Sequence, residues 1–419
     1  MLYSIRFAAL VAAFAGPSAA GELSLVEELG KSLFFDANLS VNGDQSCASC
    51  HDPAFGFSSP AQSANALGAV VEGSVPGRFG NRKPPSSAYA AFSPVLHHVS
   101  DGDGVTLVGG AFLDGRATGK KLGSAVADQA QGPFLNPAEM ALPHAACVVA
   151  RVFSAPGHSA GFSSVWGQDA VFEIPAAITG ACGDPDARIA VDDDVLRARI
   201  DEAFDRIAIA IARYESSSEV NPFSSRFDAW MDGQDTLSDQ ELRGFEVFEA
   251  EDKGNCAACH VLTPTGRETR AIFTDWTFDN IGVPRNRANP QGADYADPGL
   301  GAFLKTDPVY AAYADDAVGA QQVPTLRNLN KRSGPEAVKA FMHNGYFKTL
   351  EGVVHFYNTR DTLPRCADPL ASEAEALAAN CWPAPQFEAT MNRDELGNLK
   401  LTDQEEADLV AFLKTLDDA

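Results

Sequence analysis

The chain has 419 residues, with 32 Lys and Arg against 56 Asp and Glu, a formal charge of −24. So acidic a surface argues against nucleic acid and anionic membranes as partners. Its length implies two or three compact domains.

Residues 1–20 read as a signal peptide. Arg6 gives the positive end, Phe7 to Phe14 the apolar run, and Ser18-Ala19-Ala20 a small-residue cleavage site. The run is too short to span a bilayer, so an exported chain starting near Gly21 is expected, with no membrane span. Losing Arg6 takes the charge from −24 to −25.

Leu23 to Phe35 has helical spacing, with Leu25, Leu29, Leu33 and Phe34 on one side. It leads into Cys47-Ala48-Ser49-Cys50-His51. The layout recurs. Ser238 and Glu241 form a capping box, a helix runs through Phe245 and Phe248, and Cys256-Ala257-Ala258-Cys259-His260 follows. C-x-x-C-H is the attachment pattern of c-type haem. Two thiols add to the vinyl groups, and the adjacent histidine becomes the proximal iron ligand. A zinc ribbon would bring its two knuckles close together in sequence, which these are not. A disulfide or a thioredoxin-like redox pair fits poorly with two such pentapeptides behind similar helices. The repeat therefore predicts two haem c groups in two related domains, 21–235 and 236–419.

Between these loops, Val195 to Tyr214 predicts a helix with Leu196, Ile200, Phe204, Ile207 and Ile211 on one face, and 221–236 reads as a linker. Thr402 and Glu405 repeat the capping box before a last helix carrying Leu409, Phe412, Leu413 and Leu416. Gly/Pro-rich segments at 60–110 and 284–302 read as long ordered loops. Few strands are predicted, and the fold class is all-α. The remaining cysteines, Cys147, Cys182, Cys366 and Cys381, suit two disulfides in an exported protein. Sequence order favours Cys147–Cys182 and Cys366–Cys381, although four cysteines allow three pairings.

Further motifs accompany the haem loops: Phe112-Leu113-Asp114-Gly115-Arg116, then 129–140 (QAQGPFLNPAEM), 323–328 (VPTLRN), Met342-His343-Asn344-Gly345 and His355-Phe356-Tyr357-Asn358. With two haem loops in this order, the chain resembles the bacterial diheme cytochrome c peroxidases and the MauG-like diheme enzymes over nearly its whole mature length. The resemblance implies two cytochrome c-like haem domains. It implies a first haem that meets H2O2, a second that relays electrons from a small cytochrome c or cupredoxin, and a periplasmic location. Homodimers are common in the family. His51 and His260 become the proximal ligands. Glu139 becomes the acid/base on the peroxide side, and Gln129, ten residues earlier, orients peroxide or water. Read without the resemblance, Glu139 is a helix-start carboxylate after Pro137.

Members with a closed first haem carry a distal histidine about sixteen residues after the proximal one. The matching position is Leu67, and 55–80 contains no histidine. His97 and His98 lie further along and read as loop or surface residues. An open first haem is therefore expected. The sixth ligand of the second haem falls on Tyr357, seven residues after Leu350, with Met391 as the alternative and His355 disfavoured. Leu113 and Gly254 stand where relatives carry tryptophans used for electron transfer; Trp276, Trp230 and Tyr89 are the candidate substitutes. Lys83 stands where the family has a calcium-binding asparagine, and Val338-Lys339-Ala340 replaces the partner Thr-x-Pro. The expectation is that the Lys83 ammonium takes the place of Ca2+. Three functions stay open: a diheme peroxidase, a MauG-like oxidase of a protein or organic substrate, and a non-enzymatic electron carrier or redox sensor.

Overall fold

The computed structural model describes residues 21–100, 105–264 and 269–419. The expected signal peptide lies outside the described residues.

Helix Leu25–Phe34 starts at a Ser24/Glu27 capping box and buries Leu29, Leu33 and Phe34. Leu25, expected on that face, is 61% exposed, because the first turn overhangs the partner helix. That partner is Asp194–Glu215, which buries Ile200, Phe204, Ile207 and Ile211 as its spacing predicts. Where the two cross, a Cβ on Gly30 would stand 1.9 Å from Ala210 O. The second half repeats the device. Helix Asp239–Glu249, with the predicted Ser238/Glu241 box, packs on Asp403–Leu413, with its Thr402/Glu405 box. There a Cβ on Gly244 would stand 1.9 Å from Asp408 O. Backbones that approach this closely admit only glycine. The internal repeat is therefore one of packing as well as sequence.

Each pair anchors its own core. Leu29, Leu33, Phe34, Ile207 and Ile211 belong to one large apolar cluster; Phe248, Val354, Leu409, Phe412 and Leu413 belong to another. Disulfides Cys147–Cys182 and Cys366–Cys381 are both formed, as sequence order favours. The expected linker contains a short helix, Arg226–Met231, capped by Ser225. It forms because Phe227 has a place in the second core.

The all-α expectation holds only in part. Helices make up 38% of the chain, and long loops cover much of the rest. His97–Ser100 pairs antiparallel with Val105–Val108, and Phe278–Asp279 with Gln321–Gln322. The first ribbon forms inside a segment read as loop. Its alternation buries only Leu107, too weak a pattern to register in sequence.

The two halves meet through buried polar contacts. Arg82 ion-pairs with Asp114 and, across the boundary, Asp297. Tyr89 OH donates to Asp418, which also accepts from Asn328. Arg327, 1% exposed, makes paired hydrogen bonds to Asp228 and lies over the Tyr89 ring. Among the described residues no helix is long and apolar enough to cross a membrane.

Candidate haem sites

Both C-x-x-C-H segments form one tight turn, Cys47–Cys50 helical and Cys256–Ala258 in a 3-10 turn. The four cysteines are free thiols. Burial pushes Cys50, Cys256 and Cys259 up to about 12, and Cys47 up as well. Redox-active thiols have the opposite shift. The histidines are prepared in matching ways. His51 Nδ1 lies 3.1 Å from Phe57 O, and His260 Nδ1 2.9 Å from Phe273 O. A carbonyl only accepts, so Nδ1 carries the proton in each ring and Nε2 is left for a metal. Phe57 and Phe273 both adopt left-handed backbone, φ +55° and +57°, which is unfavourable for a bulky residue. The same strain behind both histidines aims a carbonyl at each ring. Burial above all holds His51 down to about 4, and lowers His260. Neutral imidazole is the ligating form.

A cavity of about 340 Å3 opens over the second loop. Cys256, Cys259 and His260 line one side. Helix Leu350–Thr359 also lines the cavity, through Leu350, Val353, Val354 and Tyr357. Tyr357 thus shares a cavity with His260. Burial raises its phenol, with Cys259, Asp279 and Cys256 adding to the shift, while Arg360 opposes it. Met391 is absent from that lining; its sulfur packs at Gly282. His355 Nδ1 turns to Glu406, 3.1 Å away. Of the three ligand candidates, only Tyr357 reaches the cavity. Free thiols, a histidine with Nδ1 tied off and an apolar cavity beside it fit a covalently held haem.

At the first loop, Glu139 sits in a turn, and no helix begins there, so the helix-start reading fails. Its main chain is pinned by Ser74 N to Glu139 O, 2.7 Å, and Val41 N to Met140 O, 2.7 Å. Asn136 Nδ2 donates to Oε1 at 2.6 Å; Oε2 has no partner among the described residues. Burial raises its pKa, opposed by Asn136 and the nearby Arg116. Its charge in turn raises Cys47 and Cys50, so it lies near the first loop. Gln129 lies on helix Ala125–Ala130, and its side chain makes no hydrogen bond among the described residues. Leu67 is 60% exposed. His97 and His98 lie on the exposed ribbon, His98 against Tyr310, as expected for non-ligands.

The aromatic candidates separate clearly. Trp276 lines the second cavity yet belongs to the first core. It is held at φ +63°, with Gly109 N donating to its carbonyl at 2.9 Å. Trp230 packs with Phe227 and Phe245 inside the second core. Tyr89 is engaged by Asp418. Sequence reading missed Glu215, 4% exposed, with Oε2 unpartnered. Burial pushes its pKa up to about 8, and its charge acts on Cys47. A last-turn glutamate on an acidic chain carries no signal of burial.

Two paired-thiol histidine loops in two helical cores define a diheme c-type cytochrome. The family model for di-haem cytochrome c peroxidase matches residues 25–236. Methylamine utilization protein MauG of Paracoccus denitrificans is 35% identical over 93% of this chain and 88% of its own. Cytochrome c551 peroxidase of Nitrosomonas europaea is 27% identical over 93% and 79%. The diheme peroxidase BthA of Burkholderia thailandensis superposes with a TM-score of 0.70 at 32% identity, over 98% of this chain and 90% of its own. The chain belongs to the di-haem cytochrome c peroxidase family and is a peroxidase-type oxidoreductase.

Proposed function

We propose that this protein is a periplasmic diheme peroxidase that reduces H2O2 to water, H2O2 + 2 e− + 2 H+ → 2 H2O. Its donor is a small cytochrome c or cupredoxin delivering one electron at a time. Residues 21–235 form the peroxide domain and 236–419 the electron-entry domain. Cys47, Cys50 and His51 hold the first haem; Cys256, Cys259 and His260 hold the second, with Tyr357 as its sixth ligand. When bound, the haems supply the redox chemistry. The chain supplies proton control. Cleaving HO–OH needs a group that takes a proton from one oxygen and gives it to the leaving one. Glu139 is suited to this: Asn136 fixes Oε1 and leaves Oε2 for the proton, while Gln129 orients the peroxide. Trp276 takes the relay role lost with Leu113.

The observation that carries the proposal is Glu139 beside the first haem loop with Oε2 free, in a chain whose Leu67 faces solvent. A plain electron carrier has no use for such a carboxylate. The MauG-like oxidase is the second reading, favoured by the 35% identity to MauG and by the tyrosine on the second-haem wall. Turnover with a reduced small cytochrome separates them. Peroxidase chemistry oxidises two equivalents of cytochrome per H2O2 with no further substrate; an oxidase takes both electrons from its organic or protein substrate and leaves the cytochrome reduced. Among the described residues Lys83 Nζ donates to Pro84 O alone, whereas Lys339 Nζ donates to three carbonyls. Lys339 is therefore the better replacement for Ca2+ than Lys83.

A further inference from the structure

The segment after the first haem loop, 55–69, has little regular structure beyond helix Gln62–Ala66. Its main-chain carbonyls are claimed by two lysines of the second half. Lys339, 7% exposed, donates through Nζ to Phe55 O at 3.1 Å, Asn328 O at 2.8 Å and Lys331 O at 2.8 Å. Lys348 donates to Asn65 O at 2.7 Å, Leu67 O at 2.5 Å and Gly345 O at 2.5 Å. An ammonium has three N–H donors and no acceptor, so both groups are fully used. Each lysine thus gathers three carbonyls at one point, two of them from its own half in the case of Lys339 and one in the case of Lys348.

The surrounding contacts agree. Val338 N donates to Gln62 Oε1, and Asn65 Nδ2 to Val338 O. Asn286 Nδ2 donates to Leu67 O. Gly345 lies so close to this segment that a Cβ there would stand 2.4 Å from that of Ala69. The pinned atoms connect to the first haem site at the Phe55 end. Phe55 is two residues from Phe57, whose carbonyl holds His51 Nδ1. Leu67 has its carbonyl held while its side chain points out, 60% exposed.

We propose that Lys339 and Lys348 are positioning residues for the first haem site, a two-point cationic clamp from the second half. Lys339 fixes the strand of chain that orients His51. Lys348 holds the far end of the same segment through Asn65 O and Leu67 O. The functional part of this inference rests on the peroxide-side reading of the first haem.

The test uses the oxidised holoprotein with Lys339→Met, Lys348→Met and, as control, Lys414→Met, which removes only an exposed ion pair to Glu351. Hydrogen–deuterium exchange reads the clamp directly. Peptides covering 55–69 are expected to exchange about ten-fold faster or more in each clamp variant, and unchanged in the control. The first-haem spectrum and its cyanide affinity are expected to shift with them, while the second-haem spectrum stays fixed. Wild-type exchange and spectra in both clamp variants would overturn the clamp. If Lys339→Met does not fold, Lys348→Met, on the partly exposed rim, decides alone. Wild-type protein that binds no cyanide would overturn the peroxide-side reading instead, and the exchange data would still decide the clamp.

Discussion

Replacing Glu139 by Gln is expected to lower the rate of reaction with H2O2 by roughly 10²- to 10⁴-fold, the usual contribution of a positioned acid/base. The variant keeps the shape and the Asn136 hydrogen bond to Oε1 but can no longer take a proton at Oε2. Haem content and the spectra of the resting protein should be unchanged, because neither histidine touches this residue. The pH profile gives a sharper check. Burial raises the Glu139 pKa, and only the carboxylate accepts a proton from peroxide. The wild-type rate should therefore fall on acidification at a pH above the ordinary carboxylate range. That acid limb should disappear in Glu139→Gln. Stopped-flow mixing across pH measures both, and an equal limb in the variant would assign it to another group.

Replacing Tyr357 by Met is expected to raise the reduction potential of the second haem by on the order of 100 mV or more, because axial ligands set haem potentials over a wide range. An anionic oxygen ligand favours ferric iron, whereas a thioether favours ferrous. Burial opposes phenol ionisation, so ligation must release a proton. Arg360 favours the phenolate, and its guanidinium is fixed by Asp361 and by the carbonyls of Ile281, Asn392 and Leu396. Spectroelectrochemical titration would show one potential moving and the other still. Unchanged potentials would remove Tyr357 from the ligand set and return Met391 to consideration, despite its place against Gly282.

The sequence was most legible where chemistry is local. A C-x-x-C-H turn contains all its own ligands, so both haem loops could be read directly. The heptad step from Leu350 to Tyr357 lies within one helix, and the helix turns both residues to one cavity. The capping boxes at Ser238 and Thr402 are likewise local. Glu139 was legible only through a family motif, since the turn that exposes Oε2 is built by Asn136, Ser74 and Val41 together. What escaped depends on distant backbone. Carbonyls carry no side-chain signature, so the partners of Lys339 and Lys348 could not be seen from either end. The left-handed Phe57 and Phe273 were invisible for the same reason: phenylalanine gives no hint of positive φ.

The central claim is that the first haem is open and Glu139-assisted in the protein as isolated. It is tested most directly by mixing the fully oxidised protein with one equivalent of H2O2 and recording the visible spectrum on the millisecond scale. The account predicts an immediate spectral change with no prior reduction. A protein that stays silent until one haem is reduced would contradict it, and would mean that some group of this chain covers the first site.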